Sequence, residues 1–147
     1  MTLATSTLRT ADGVSLHIAH QLPQGDPKAI VLLVHGYAEH SGRYLHVIDA
    51  LTNAGYAVYT IDHRGHGRSE GMRAYVESIH GIADDLYVYF QQIKAAQPGK
   101  KIFVYGHSMG AMISLVFTLK HQDEMAGLIT SGAPVIADVN DWHEKNS

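Results

Sequence analysis

The chain has no cysteine. Disulfides, thiolate metal sites and a cysteine nucleophile are therefore excluded. It also lacks a long apolar run. The longest uninterrupted aliphatic stretch, Ala29 to Val34, is far too short to cross a bilayer, so no transmembrane segment is expected. The N-terminal stretch Met1 to Arg9 lacks the charged-then-apolar pattern of a secretory leader. A cytoplasmic location is the default expectation, with peripheral contact with a membrane as the second option. There is no basic run and no aromatic-basic stripe. The net charge is −3 with both signs interspersed, which argues against a nucleic-acid surface. No internal repeat or low-complexity tract interrupts the chain.

Phosphate-binding patterns are missing as well. G-x-x-x-x-G-K-[ST] does not occur. G-x-G-x-x-G would continue from Gly65 and Gly67 to a glycine at 70, where the chain has Glu70. No nucleotide or other cofactor is expected. The 11 histidines raise the question of a metal. His17 and His20 lie in a strand-like segment and should point to opposite faces. His63 and His66 straddle a loop without cysteine, and neither pair fits H-E-x-x-H. No metal site is expected.

What is present is a chain of 147 residues, 46% hydrophobic and 17% charged, enough for one domain with a core. Ala11-Asp12-Gly13 marks a turn between two β-like stretches, Ser6 to Arg9 and Val14 to His20. Ala29 to Val34 reads as a strand buried on both faces. Ser41 can cap a helix carrying Tyr44, Val47, Ile48 and Leu51 at helical spacing, closed by Gly55. Tyr56 to Ile61 reads as a strand, and Asp62 to Gly71 as a polar, glycine-rich loop. In that loop Asp62 and Arg64 should act as ties through charged hydrogen bonds. Ile79, Ile82, Leu86, Phe90 and Ile93 define one face of a long helix that ends before Pro98-Gly99. Asp84 and Asp85 are neighbours on it and cannot face each other; one is expected at the polar loop and the other in solvent.

Lys101 to Tyr105 reads as a further buried strand. The helix over Met109 to Leu119 is apolar nearly all round and is expected to be buried. Met125 to Thr130 reads as a last strand, and 138–147 is a polar tail. Buried strands alternating with amphipathic helices predict an α/β fold, a mostly parallel sheet with helices on both faces. Loops at the carboxyl ends of such strands converge. Three start there: His35 onward, Asp62 onward and Gly106 onward.

Gly106-His107-Ser108-Met109-Gly110 sits between the third of these buried strands and the apolar helix. Strand, G-x-S-x-G, helix is the setting of a nucleophile elbow. Small residues at 106 and 110 permit the tight turn, Ser108 is lifted from the sheet, and the Met109 N–H faces a developing oxyanion at the helix start. The loop His35-Gly36-Tyr37 should offer the second oxyanion donor, the Tyr37 N–H. Gly36 lets the chain bend inward, and His35 buttresses the loop rather than acting as a base.

Three motifs, His35 to Tyr44, Asp62 to Gly71 and Gly106 to Gly110, together resemble the monoacylglycerol lipase and lysophospholipase branch of the α/β-hydrolase superfamily. The resemblance covers about residues 8 to 136. It implies Ser108 as nucleophile, Tyr37 and Met109 as backbone oxyanion donors, and Gly106, His107, Gly110, His35 and Gly36 as support. It implies a fold cut after about the sixth strand, with 1–137 as the N-terminal part of the core and 138–147 at the start of a cap. Family members run to about twice this length, with the triad acid after strand seven and the histidine after strand eight. Asp138 or Asp141 with His143 satisfies the chain order but gives no strand to hold both, so acid and base are expected outside this chain.

The expected reaction is hydrolysis of a monoglyceride- or lysophospholipid-like ester, the isolated chain being inactive. Two alternatives stand beside it: a non-catalytic α/β protein binding an acyl ligand or a partner, and a thioesterase or acyltransferase on the same scaffold. Expected partners are a small acyl ester and either a complementary C-terminal chain or a second copy meeting the open sheet edge. Ala111 and Tyr37 depart from the family pattern, and the Tyr37 side chain should narrow the acyl site.

Overall fold

The computed structural model describes residues 3–132. The domain boundary at 137 and Asp138, Asp141 and His143 lie outside them. Six strands form one sheet: β1 (Ala4–Arg9), β2 (Ser15–Gln21), β3 (Ile30–Val34), β4 (Ala57–Ile61), β5 (Ile102–His107) and β6 (Gly127–Ser131). Their spatial order is β1-β2-β4-β3-β5-β6. β1 and β2 form an antiparallel hairpin, and β2 runs antiparallel to β4. From β4 onward every pairing is parallel: β4 with β3, β3 with β5, β5 with β6. The sequence predicts the parallel part; the antiparallel contact of β2 with β4 is long-range and leaves no local signal.

The central strands β3 and β4 are buried at every residue, as their unbroken apolar runs require. Ile30, Leu32 and Val34 face a large core with Leu86, Phe90, Ile93, Ile113 and Phe117 from α2 (Ile79–Ala96) and α3 (Met109–His121). Leu33 and Val58 face the other way, onto Ile48 of α1 (Leu45–Asn53) and Tyr44. Helices therefore cover both faces. α2 begins at Ser78, whose hydroxyl accepts the Gly81 N–H at 3.3 Å.

Two expectations are corrected. Ser41 is not the cap of the helix before α1. That role falls to His40, whose Nδ1 accepts the Gly42 N–H at the start of a short 3₁₀ turn, Ser41–Tyr44. Ser41 instead gives both its backbone N–H and its hydroxyl to the buried carboxylate of Asp62, at 2.8 and 2.7 Å. A charged acceptor at the end of β4 outcompetes the local cap. Nor is α3 buried all round. Gly110, Ile113, Ser114 and Phe117 face the core, while Leu115 and Leu119 are 46% and 81% exposed. Apolar composition alone does not say which faces of a helix find neighbours among the described residues.

Candidate active site

β5 ends at His107 and α3 starts at Met109, leaving Ser108 alone at the turn with φ +56° and ψ −121°. An L-residue rarely adopts this conformation, and such strain costs on the order of 1–3 kcal/mol. The neighbouring packing holds it there. The Ser108 N–H donates to the Ser131 carbonyl at 3.0 Å, and its own carbonyl accepts from Ala111 at 2.9 Å. A Cβ on Gly106 would run into the Gly110 carbonyl and lie 2.5 Å from the Ser114 hydroxyl. One on Gly110 would collide with the Val34 carbonyl and come within 2.6 Å of the His35 carbonyl. The two glycines thus let α3 press against the end of β3, which joins the Ser108 turn to the His35 loop. His107 points aside, its Nδ1 2.8 Å from the Ser131 hydroxyl.

The His35 loop is held by consecutive peptide groups. His35 is fully buried, and its ring reaches forward to the Gly36 carbonyl, Nδ1 to O 2.7 Å. Its Nε2 accepts the His63 backbone N–H at 3.0 Å. Nε2 therefore carries no proton, and Nδ1 is the donor. His63 returns the contact, its Nε2 donating to the His35 carbonyl at 3.0 Å. The Gly36 N–H donates to Glu39 at 2.8 Å. Among the described residues nothing accepts from the Tyr37 N–H. In a trans peptide C=O and N–H point in opposite directions, so tying down the Gly36 carbonyl aims the Tyr37 N–H away from the His35 ring. The Met109 N–H, first in its helix, has no intrahelical acceptor either. Among the described residues, the loops that follow β3 and β5 thus each carry a backbone N–H with no acceptor.

Burial pushes His35 down to about 4 despite its contact with Gly36 and the nearby Asp62 carboxylate. His63 is held well below the usual imidazole range, again chiefly by burial and next by His35. Both rings are neutral at pH 7. Their centroids lie 3.9 Å apart, with His66 5.5 Å from His35. Burial would raise Asp62, but the bonds from Ser41 and from the Arg68 N–H outweigh it and leave Asp62 lowered. Arg64 ties the loop as expected, bridging Asp85 at 2.8 Å and Asp12 at 2.9 Å. Of the aspartate pair, Asp85 is the one at the polar loop; Asp84 is exposed, 3.3 Å from Lys120. No cluster of metal-ligating side chains occurs among the described residues, and no described helix is long and apolar enough to cross a membrane.

The structure thus brings Ser108, Met109, Gly106, Gly110, His35, Gly36 and Tyr37 together at one end of the sheet. Tyr37 is 55% exposed, edge-on to His66 at 5.8 Å. Sequence reasoning missed Glu39, Tyr44, His63 and Ser131. Glu39 lies three residues after Gly36, the spacing at which a carboxylate reaches back to a backbone N–H, as in a capping box. Nothing local announces the long-range contacts of His63 and Ser131.

Sheet order, crossing helices and the strained serine define the α/β-hydrolase fold. The Hydrolase_4 family model, described as serine aminopeptidase, S33, matches residues 25–145, and the chain belongs to that family. It is 38% identical over 115 residues to a monoacylglycerol lipase of Mycolicibacterium smegmatis, covering 78% of this chain and 41% of that protein. It is 34% identical over 131 residues to human monoglyceride lipase, covering 89% and 43%. Among solved structures, a soluble variant of monoglyceride lipase from Saccharomyces cerevisiae in complex with a substrate analogue superposes with TM-score 0.82 at 26% identity, over 99% of this chain and 49% of that one. A thermostable carboxyl esterase from Bacillus coagulans in complex with glycerol gives 0.81 at 30% identity, over 90% and 44%. The chain spans less than half the length of these relatives.

Proposed function

We propose that this chain carries the nucleophile and oxyanion half of a serine ester hydrolase acting on monoglyceride- or lysophospholipid-like esters. The observation that carries the reading is Ser108, held at φ +56° between β5 and α3 beside two unpaired backbone donors. Ser108 Oγ attacks the acyl carbonyl, and the N–H groups of Met109 and Tyr37 receive the tetrahedral oxyanion. Gly106, Gly110 and His107 support the turn; His35 and Gly36 support the donor loop. The serine hydroxyl is a weak nucleophile without an adjacent base. His35 cannot serve, because its one unprotonated nitrogen is already paired with His63. On this reading an imidazole and a carboxylate come from outside this chain, since Asp138 or Asp141 with His143 offers no strand between acid and base to hold both, and the chain alone is inactive or nearly so.

The names of the relatives support an acyl ester as substrate, and a glycerol-bound esterase among the structural neighbours agrees. The missing groups would arrive on a complementary C-terminal chain. Among the described residues β6 is the last strand on its side of the sheet, and the apolar Leu115 and Leu119 of α3 and Ile129 of β6 are exposed. Unpaired strand edges of this kind recruit other chains; without the complement, a second copy would take the place. The test is release of glycerol from monoolein by the chain combined with a chain bearing the remaining strands, acid and base. Turnover that disappears with Ser108→Ala supports the reading; turnover that survives it refutes it.

A further inference from the structure

Glu39 has no place in the reaction as written, yet it sits at the base of the donor loop. Its Oε2 accepts two hydrogen bonds, from the Gly36 N–H at 2.8 Å and from the Tyr44 hydroxyl at 2.7 Å. Its Oε1 lies 3.8 Å from Arg43, whose side chain is largely exposed. Gly36 N–H and His35 C=O belong to one peptide plane, and the opposite end of that plane is the carbonyl that accepts from His63. The next plane holds the Gly36 carbonyl, bound by His35 Nδ1 at 2.7 Å and approached by the Glu39 N–H at 3.4 Å, and the free Tyr37 N–H. Two consecutive planes carry four polar groups. Three are taken by His63, Glu39 and His35, and the fourth is the donor the reaction needs.

We infer that Glu39 is a positioning residue, a carboxylate clamp braced by Tyr44 that fixes the Gly36 amide and thereby the direction of the Tyr37 N–H. The inference rests on the serine-hydrolase reading for its purpose but not for its geometry. A carboxylate is an odd choice beside an oxyanion, since like charges repel. Its bonds to Gly36 and Tyr44 turn its oxygen away into the loop and spread its charge. What the loop requires is the acceptor, not the charge. Glutamine should therefore replace glutamate, and alanine should not. Burial favours a neutral Glu39, but the bonds from Tyr44 and Gly36 prevail and hold it below the usual glutamate range.

The test uses the ¹⁵N-labelled 147-residue chain. The Gly36 amide proton should resonate far downfield and titrate with a single carboxylate, at a pH below that of an ordinary glutamate. The titration should vanish in Glu39→Gln while the downfield position largely persists. Glu39→Ala should lose both, and the Tyr37 amide should shift with it. Tyr44→Phe should raise the midpoint. A Gly36 amide that ignores pH, or a Tyr37 amide unmoved in Glu39→Ala, overturns the clamp. Butylboronic acid, which forms a tetrahedral anion on a serine hydroxyl whose proton passes to a base, then reads its purpose in the labelled chain combined with one bearing the remaining strands, acid and base. Binding should shift both the Tyr37 and Met109 amides, weaken at least tenfold in Glu39→Ala, and return in Glu39→Gln. Equal binding by Glu39→Ala and the parent contradicts the positioning role. Absence of Ser108-dependent binding by the parent counts against the hydrolase reading instead, and the Gly36 titration still decides the clamp.

Discussion

At the carboxyl ends of β3 and β5, backbone groups are held by buried imidazoles, a braced carboxylate and glycines packed against carbonyls. Along the outside of α3 and β6, apolar side chains stand in solvent, Leu119 81% exposed and Ile129 44%. One helix contributes to both regions. Its start packs so tightly at Gly110 that a methyl group has no room, while its outer face touches little. The difference teaches where structural precision has been invested. The serine turn is over-determined by its surroundings, as a strained conformation must be to persist. On the outer surface no described residue covers Leu115, Leu119 or Ile129 to a comparable degree.

The comparison breaks most completely at Gly110. Any Cβ there meets the Val34 carbonyl, so Gly110→Val should leave no folded protein by circular dichroism. A cooperative melt near the parent's would mean that the elbow is not tightly packed. Next in size is the inner face of α3. Phe117 is fully buried among Phe90 and Tyr87, and Phe117→Ala should cost about 3–5 kcal/mol in urea unfolding.

The third effect is one of pH. His35 has its folded pKa lowered from 6.5 to about 4, so the unfolded chain binds the proton more readily. Its contribution is fully present above about pH 6.5 and is lost as pH falls toward 4, amounting to roughly 3 kcal/mol. His63 acts in the same direction. Denaturant melts between pH 7 and 4 should show this slope, and His35→Asn should flatten it; a parent whose stability is level over that interval excludes the neutral-imidazole account.

The smallest effect on stability belongs to the outer face. Leu119→Ser should change stability by no more than about 0.5 kcal/mol. It should nonetheless weaken self-association measured by light scattering. Ile129→Lys at the β6 edge should do the same without unfolding the domain, since Ile129 is half exposed and Thr130 beside it is exposed too. A parent chain that is monomeric at all micromolar concentrations would remove the case for an open interface.

Much of this was legible in the sequence for physical reasons. β3, β4 and β5 are short apolar runs bounded by turn residues, and α2 shows its buried face as a repeat at 79, 82, 86, 90 and 93. The serine turn is legible because sterics leave so few residues acceptable at 106 and 110. Less legible was what depends on partners distant in sequence. Ser41 reads as a helix cap until Asp62, 21 residues on, claims it. The histidines of the polar loop carry no sign that His63 bonds His35, 28 residues away, through both backbone and side chain. The exposed side of α3 was unreadable for a different reason: Leu115 and Leu119 have the composition of a buried face, and burial depends on what lies against it.

The central claim is that this chain holds a serine and its anion-binding donors but not the base that makes the serine reactive. Hydrolysis of p-nitrophenyl butyrate by the purified 147-residue chain, its mass verified and no second chain present, tests it most directly. The account predicts at most the residual that anion stabilisation and binding alone leave in a serine hydrolase stripped of its triad, roughly 10³–10⁴-fold over water, and a Ser108→Ala chain that retains most of it. Robust turnover by the chain alone would contradict it.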